Sequence, residues 1–339
     1  MVLSSAAWIQ AQPMKPGGEN ELRFVQANGI KIRIAERGTG PLVLLLHGWP
    51  ESWYSWRYQL PALAKAGYRV VAPDMRGFGG TDAPPAIEDY TIQKLCADVV
   101  GLIDALGEKQ AVVIGHDWGS GVAWASVLHY PERFRAIVAM SVPLRTRTPE
   151  PPMVIARRNF GDKFFYQLYF QQPGVAEREF EGNTREFLSR IYASPSTPRE
   201  PPQVTDLSAS AGGLTVRLGK PKSPVPWMSE ADLDYYVAEF QRAGFRGGLN
   251  YYRNIDRNWE TTAHLANAKI AVPALFLAGE KDLVIAGATR DQLIAMMSGR
   301  VKDLTVELYP NTGHWVQQER AEEVNKAIAT FLASLPRRP

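Results

Sequence analysis

The chain has 339 residues, 45% of them hydrophobic, which is enough to form a sizeable globular core. The formal net charge is only +3 and the Lys and Arg residues are scattered among acids, so the composition argues against a nucleic-acid-binding surface and favours a small neutral partner. A disulfide within the chain is excluded because Cys96 is the only cysteine, and the apolar residues around it at helical spacing predict a buried structural thiol.

The first 21 residues are predicted to form a flexible N-terminal extension, because Pro and Gly residues cluster at positions 13–18. No basic residue precedes Lys15, and polar residues interrupt the apolar ones in this stretch, so we predict neither a signal peptide nor a membrane span. We therefore expect a cytoplasmic protein with no membrane partner.

Strands and helices are predicted to alternate along most of the chain. A hairpin is expected first, because the turn signal Asn28-Gly29 precedes the alternating apolar residues of 30–34. Continuous apolar runs, typical of strands buried on both faces of a parallel sheet, follow at 41–46, 69–72, 110–114, 136–140, 272–278 and 304–309. Helical patterns lie at 55–66, 91–106, 118–129, 287–297 and 320–334. This order predicts an α/β fold with a doubly wound, mostly parallel sheet.

The alternation stops after Pro143 and resumes only near Ile270. The residues between them are rich in prolines and aromatics, with helical patterns at about 153–170, 175–192 and 229–242. Because compact domains seldom contain structureless loops of such length, we predict an inserted helical lid over residues 144–261 that covers a catalytic site and excludes water. The α/β core is then formed by residues 22–143 and 262–339.

A nucleophile elbow is predicted at residues 115–119, where Gly-His-Asp-Trp-Gly separates a β-branched apolar run from a helical pattern. A strand, a sharp turn and a helix would expose Asp117 at the tip of the turn, with Gly115 and Gly119 leaving room for neighbouring backbone. A carboxylate, with a reference pKa of about 4, is already an anion at neutral pH and needs no general base to become a nucleophile. The alternative, an aspartate that only caps the following helix, stays open from these five residues alone.

A loop that binds an oxyanion is predicted after the strand at 42–46. The sequence His-Gly-Trp-Pro at 47–50 contains a glycine that lets a backbone N–H turn toward an anion, and we predict that the N–H groups of Trp49 and Trp118 form an oxyanion hole. His47 is expected to support this loop by hydrogen bonds rather than to act as a base.

An acid and a base are predicted after two later strands, because sites on open α/β sheets lie beyond the carboxyl ends of the strands. Asp282 follows the strand at 275–278, and His314 lies on a turn after the last strand. The order nucleophile, acid, histidine is the order expected for a nucleophile elbow in such a fold.

Neither a nucleotide nor a metal ion is predicted as a cofactor. The glycine-rich residues 74–80 contain neither the dinucleotide-binding nor the P-loop motif, and we expect Asp74 and Arg76 to organise that loop. No His-Glu-x-x-His motif or cysteine-histidine spacing indicates a metal site.

Taken together, the segments at 47–50, 115–119, 279–282 and 313–315 resemble the α/β-hydrolase-fold epoxide hydrolases, particularly the soluble epoxide hydrolase type. Two lid segments, 165–177 and 244–254, are similar to the tyrosine-bearing lid segments of that family. The resemblance spans about residues 22–335 and leaves no room for the N-terminal phosphatase domain of the vertebrate proteins. It implies a detoxifying enzyme that converts epoxides and water to vicinal diols through an alkyl ester on Asp117, which His314, oriented by Asp282, then hydrolyses.

The match to the lid segments assigns the two phenols that activate the epoxide to Tyr166 and Tyr252. An epoxide opens when a nucleophile attacks carbon as its oxygen receives a hydrogen bond, and a phenol, with a reference pKa of about 10, stays a donor at neutral pH. An apolar, partly aromatic pocket for a small epoxide is predicted from Trp49, Trp118 and four further residues, namely Trp53, Phe165, Tyr169 and Trp315. A homodimer is compatible with the sequence.

Two other functions were weighed. Haloalkane dehalogenases also use an elbow aspartate followed by tryptophan, but many place the acid after the strand that here ends Met140-Ser141-Val142-Pro143, where no carboxylate occurs. They also require halide donors instead of paired lid phenols. A non-catalytic binding protein on this fold would normally have lost its triad, whereas the aspartate, acid and histidine are all present here.

Overall fold

A computed structural model describes residues 20–336. Its strands are β1 (Glu21–Ala27), β2 (Ile30–Arg37), β3 (Leu42–Leu46), β4 (Arg69–Pro73), β5 (Ala111–His116), β6 (Phe134–Met140), β7 (Ala274–Gly279) and β8 (Leu304–Tyr309). They form one sheet in the order β1-β2-β4-β3-β5-β6-β7-β8. The β1–β2 and β2–β4 pairs are antiparallel and the other pairs are parallel, which confirms the predicted mostly parallel α/β sheet.

The chain enters the sheet through a hairpin. The predicted extension, residues 1–21, lies outside the described residues except for its last two, and Glu21 is already the first residue of β1. The predicted hairpin turn is confirmed, because Asn28 and Gly29 have φ angles of 47° and 76°, the left-handed backbone that a two-residue hairpin turn requires.

Both faces of the sheet are buried. In β3, Leu44 lies in one core cluster while Val43 and Leu45 lie in the cluster on the opposite face, because successive side chains of a strand point to opposite sides. The helices that cover the sheet are α1 (Gln59–Lys65), α2 (Ile92–Ala105), α3 (Trp118–His129), α11 (Arg290–Ser298), α12 (Val316–Glu319) and α13 (Ala321–Ser334). Since β3 to β8 are parallel, their carboxyl ends lie along one edge of the sheet, where the loops that follow them can meet.

Seven helices lie between β6 and β7. They are α4 (Pro152–Phe160), α5 (Tyr166–Tyr169), α6 (Val175–Gly182), α7 (Thr184–Ile191), α8 (Glu230–Ala243), α9 (Arg246–Arg253) and α10 (Ile255–Thr261), counted over the described part of the chain. The segment predicted as a lid is therefore a helical insertion between two adjacent strands.

Two helices predicted in this segment are each broken in the structure. The pattern at 153–170 is interrupted at Gly161, whose φ is 53°, and only the single turn α5 follows. The pattern at 175–192 is divided at Asn183, whose side chain accepts a hydrogen bond from the Glu186 N–H and so begins a new helix, α7.

Helices α9 and α10 were not predicted. Gly247 and Gly248 make α9 a poor helix by propensity, but a Cβ on Gly247 would lie 2.2 Å from the Gly77 carbonyl oxygen. Close packing against the loop at 77 therefore requires glycine, and tertiary contact overrides the local preference.

Cys96 is buried, as predicted, and burial raises the pKa of its thiol to about 12. Over residues 20–336, the helices are too short or too polar to cross a bilayer.

Candidate active site

The turn between β5 and α3 holds Asp117 in an unusual backbone conformation. Its φ and ψ are 50° and −118°, and a Cβ on Gly119 would lie 2.0 Å from the Leu46 carbonyl oxygen. The turn thus packs against the end of β3 more closely than any side chain permits. This strand, sharp turn and helix form the predicted nucleophile elbow.

The two oxygens of the Asp117 carboxylate have different neighbours. The Trp49 N–H donates to Oδ1 over 2.8 Å, whereas Oδ2 lies 3.6 Å from His314 Nε2. Trp118 is the first residue of α3, and the first N–H groups of a helix have no acceptor within it. One carboxylate oxygen is therefore fixed by a backbone donor, and the other faces the imidazole.

His314 contacts a carboxylate through each of its ring nitrogens. Its Nδ1 lies 3.1 Å and 3.0 Å from the two carboxylate oxygens of Asp282, which is almost completely buried and also accepts from the Val284 N–H over 2.9 Å. Burial alone would lower the pKa of His314, but the charges of Asp282 and Asp117 outweigh burial and raise it well above its ordinary value. The two anions on either side of the ring therefore favour the protonated form of His314.

Two tyrosines from the insertion lie near Asp117. Tyr166 begins α5, Tyr252 belongs to α9, and their ring centroids are 6.0 Å apart at an interplanar angle of 79°. Burial and the nearby charge of Asp117 raise the pKa of Tyr166 to about 12 and that of Tyr252 well above its usual range. Both phenols therefore keep their protons at neutral pH, within electrostatic reach of the same carboxylate.

A buried pair that the sequence analysis missed joins the core loops of the site. Glu51 Oε2 accepts from the Gly48 N–H over 2.8 Å and lies 2.7 Å from His116 Nδ1. The other ring nitrogen of His116 lies 2.8 Å from the His314 carbonyl oxygen. Burial alone would raise the pKa of Glu51, but His116 lowers it to about 2. A carboxylate four residues beyond His47, in a segment rich in tryptophan, was the available signal.

His47 and residues 74–76 have the structural roles predicted for them. His47 Nε2 accepts from the Met75 N–H over 2.9 Å, and its Nδ1 lies 2.8 Å from the Gly48 carbonyl oxygen. Asp74 accepts from the Gly80 N–H over 3.0 Å and pairs with Arg33, and Arg76 pairs with the buried Asp98.

Two of the predicted pocket aromatics have rings close to those of His314 and Tyr166. The Trp315 ring lies 4.8 Å from the His314 ring, and the Phe165 ring lies 5.2 Å from that of Tyr166. Phe170 was missed, although its ring lies 5.0 Å from that of Tyr252.

Trp53 and Tyr169, which were also predicted to line the pocket, each make a hydrogen bond to a residue of the insertion. Trp53 belongs to the core cluster on the face of the sheet opposite Tyr252, and its indole N–H donates to the Tyr235 hydroxyl over 2.8 Å. The Tyr169 hydroxyl donates to Glu179, which also accepts from the Thr215 N–H, so Tyr169 connects parts of the insertion to one another.

The position where many dehalogenases carry their acid is filled by Ser141, which follows β6 and donates through its hydroxyl to the His314 carbonyl oxygen over 2.9 Å. Among residues 20–336, the His, Cys, Asp and Glu side chains do not form a group of three suited to a metal ion.

Comparisons with known proteins agree on one family. A family model described as the α/β hydrolase fold matches residues 41–321. Epoxide hydrolase A of Mycobacterium tuberculosis is 45% identical over 316 residues, covering 92% of this chain and 97% of that protein. Bifunctional epoxide hydrolase 2 of Sus scrofa is 41% identical, but the match covers only 55% of that longer protein.

Solved structures extend the similarity to three dimensions. The crystal structure of epoxide hydrolase A from Mycobacterium thermoresistibile has a TM-score of 0.86 at 44% identity, covering 94% of this chain and 100% of that chain. An epoxide hydrolase from Vigna radiata has a TM-score of 0.82 at 41% identity, covering 94% of this chain and 99% of that one.

Proposed function

The chain belongs to the α/β-hydrolase-fold epoxide hydrolases and converts epoxides and water to vicinal diols, and we propose that it does so through a covalent ester on Asp117. The observation that carries this proposal is the pair of environments around one carboxylate: a backbone donor on Oδ1, and an imidazole and two phenols around the rest. A carboxylate so placed can attack carbon from Oδ2 while Oδ1 stays fixed.

In the first half of the reaction, Asp117 Oδ2 attacks an epoxide carbon. The carbon–oxygen bond of the ring breaks, its electron pair moves to the ring oxygen, and that oxygen takes a hydrogen bond and then a proton from the phenols of Tyr166 and Tyr252. The raised phenol pKa values support this role, because a donor must hold its proton until the transition state. The product is a hydroxyalkyl ester of Asp117.

In the second half, His314 removes a proton from water, and the resulting hydroxide attacks the ester carbonyl carbon. The charge that develops on the carbonyl oxygen is stabilised by the N–H groups of Trp49 and Trp118, of which the first already binds Oδ1. Asp282 orients the imidazole and stabilises its cation. Cleavage of the ester bond then expels the alkoxide oxygen, which takes the proton left on the oxygen of the attacking water, so that the diol is released and the Asp117 carboxylate is restored.

The test is to substitute His314→Gln and to add a terminal or aryl-substituted epoxide. Ester formation should continue while hydrolysis stops, so intact-protein mass spectrometry should show an increase of one substrate mass, located on Asp117 by peptide mapping. An equal amount of Asp117→Asn protein should show no increase. A His314→Gln variant that turns over at the wild-type rate would refute the assigned base, and halide release from a haloalkane by the wild type would restore the dehalogenase alternative.

We propose three further properties. The helical insertion, residues 144–261, is a lid whose aromatics favour a small apolar epoxide; the ring contacts of Phe165, Phe170 and Trp315 support this. A cytoplasmic location is supported by the absence of a disulfide within the chain, given its single buried cysteine. A homodimer is the third proposal, which sedimentation would test.

A further inference from the structure

The hydroxyl of Tyr166 has a hydrogen-bond donor of its own. The side-chain amide of Gln167, the next residue in α5, donates from Nε2 to the Tyr166 hydroxyl oxygen over 3.0 Å. That bond uses a lone pair of the phenol and leaves its O–H free to point elsewhere. Tyr166 can therefore accept from Gln167 and donate to a second acceptor at the same time.

The backbone at Gln167 is held by the side-chain amide of Gln171. Gln171 donates from Nε2 to the Gln167 carbonyl oxygen over 2.8 Å and to the Tyr252 carbonyl oxygen over 3.0 Å. Arg253, next to Tyr252, donates from Nε to the Phe170 carbonyl oxygen over 3.0 Å. The single turn that carries Tyr166 is thus joined to the helix that carries Tyr252, so Gln167 and both phenols form one unit.

We propose that Gln167 is a positioning residue for epoxide opening, which directs the Tyr166 O–H at the epoxide oxygen and stabilises the phenolate left when that proton is transferred. The inference rests on the proposed function, because it requires that Tyr166 be a donor in ester formation. No reaction step other than ester formation involves Gln167.

The proton balance shows when Gln167 acts. When Asp117 attacks carbon, the ring oxygen takes the electron pair of the breaking carbon–oxygen bond and the proton of Tyr166, and the negative charge moves from Asp117 to the phenolate. The Gln167 N–H then donates to an anion, and such a bond is stronger than one to a neutral phenol. The proton that water later gives to His314 returns to Tyr166 through solvent, so the cycle consumes one epoxide and one water.

The two phenols differ in the residues that contact them. The Tyr252 ring packs edge-on against the Trp118 ring of the core, with the ring centroids 5.1 Å apart, whereas the Tyr166 hydroxyl accepts a hydrogen bond from Gln167 within the insertion. Burial raises the pKa of Tyr166, and the bond from Gln167 works against that rise. Removal of Gln167 should therefore weaken Tyr166 alone.

The test measures ester formation in single turnover for Gln167→Met, which keeps the length of the side chain but removes the donor. A hydrogen bond to a developing charge is worth about 10- to 100-fold in rate, so ester formation should slow by that factor while ester hydrolysis is unchanged. In a Tyr166→Phe background, Gln167→Met should have no further effect. Gln172→Met, at a neighbouring exposed position, is the matched control and should behave as the wild type.

A second variant, Gln167→Glu, replaces the donor by an acceptor of nearly the same shape. The introduced carboxylate should draw the Tyr166 O–H toward itself and slow ester formation more than Gln167→Met does, with partial recovery as the pH falls and the carboxyl takes up a proton. A structural defect would not show this recovery. The Gln167→Glu variant also keeps the inference testable if Gln167→Met does not fold.

Each outcome has one meaning. An equal slowing by Gln167→Met with and without the Tyr166 hydroxyl would overturn the inference, as would an unchanged rate in folded Gln167→Met. Failure of the proposed function is a separate result, because it would appear as the absence of an Asp117 ester in the His314→Gln variant with Gln167 intact.

Discussion

The reacting groups come from two regions of the molecule that are held in place by different means. Asp117 and His314 lie on turns at the carboxyl edge of the sheet, and the buried Glu51–His116 pair connects the loop of Trp49 to the backbone of His314. The two phenols lie on short helices of the insertion, joined by a few amide hydrogen bonds such as those of Gln171. The proposed nucleophile and base therefore lie on loops fixed by a buried polar pair of the core, whereas the proposed donors lie on helices of the insertion, which pack against the core through aromatic side chains.

The largest effect is expected from the core side. Asp117→Asn should abolish ester formation and lower turnover by about 10⁴-fold or more, because no other group in the site can replace the nucleophile. Asparagine tolerates a positive φ, so the turn should be retained. Single-turnover adduct formation measures the loss, and circular dichroism checks the fold. Intact mass must confirm that the asparagine has not deamidated; retained alkylation by the intact amide would contradict the assignment.

On the insertion side, the loss should be divided between two donors. Tyr166→Phe and Tyr252→Phe should each slow ester formation, and the double variant should be nearly inactive on epoxides, since general acid assistance is typically worth about 10²- to 10⁴-fold. Folding should survive because only hydroxyl groups are removed. The measurement is single-turnover alkylation with circular dichroism as the control. If the folded double variant opens epoxides at the wild-type rate, the phenols are not the donors.

The sequence was more informative about the core than about the insertion, for a physical reason. Parallel strands buried on both faces leave continuous apolar runs, and the residues after them must lie at one edge, so Asp282 and His314 could be placed near Asp117 from order alone. No comparable rule predicts where the side chains of the insertion lie. Tyr166 and Tyr252 were found only through resemblance to known lid segments, and two predicted helices proved to be broken.

The order of the strands does not predict the hydrogen bonds between buried side chains. Glu51 and His116 face each other across two loops, and a one-dimensional pattern does not encode which buried polar groups meet. Trp53 likewise belongs to a different core cluster from Trp49, although the two residues are only four positions apart.

Stability should separate the two regions further. Glu51→Ala leaves His116 and the Gly48 N–H without their buried acceptor, and loss of one partner of a buried pair costs about 3–5 kcal/mol in the free energy of unfolding. Gln171→Leu removes hydrogen bonds between backbone segments of the insertion and should cost about 1 kcal/mol, with a larger effect on ester formation than on stability. Denaturant unfolding compares the variants. Equal destabilisation by both would remove the distinction between the regions.

The smallest effect expected is a shift in pH dependence, and it arises where the two regions meet at Asp117. The charges of Asp282 and Asp117 raise the pKa of His314, so in the free enzyme the imidazole stays protonated to higher pH than an ordinary histidine. Because this pKa is raised on folding, protonated His314 stabilises the fold fully below the unfolded value of about 6.5, and the contribution is lost as the pH rises through the folded pKa.

Ester formation changes this balance, because it turns the Asp117 carboxylate into a neutral ester and removes one of the two anions. The pKa of His314 should then fall, which provides the neutral base when water must be activated. Ester formation needs no base, and the Tyr166 phenol, with its pKa raised to about 12, keeps its proton. As the pH is lowered, hydrolysis should therefore fail before ester formation does, and wild-type protein in the steady state should carry a growing fraction of alkyl ester. Acid quenching and intact mass across a pH series measure this fraction. The His314→Gln variant, which has no titrating base, is the control and should be alkylated to the same extent throughout. A wild-type fraction that stays constant down the acidic limb would mean that hydrolysis does not depend on His314 being neutral.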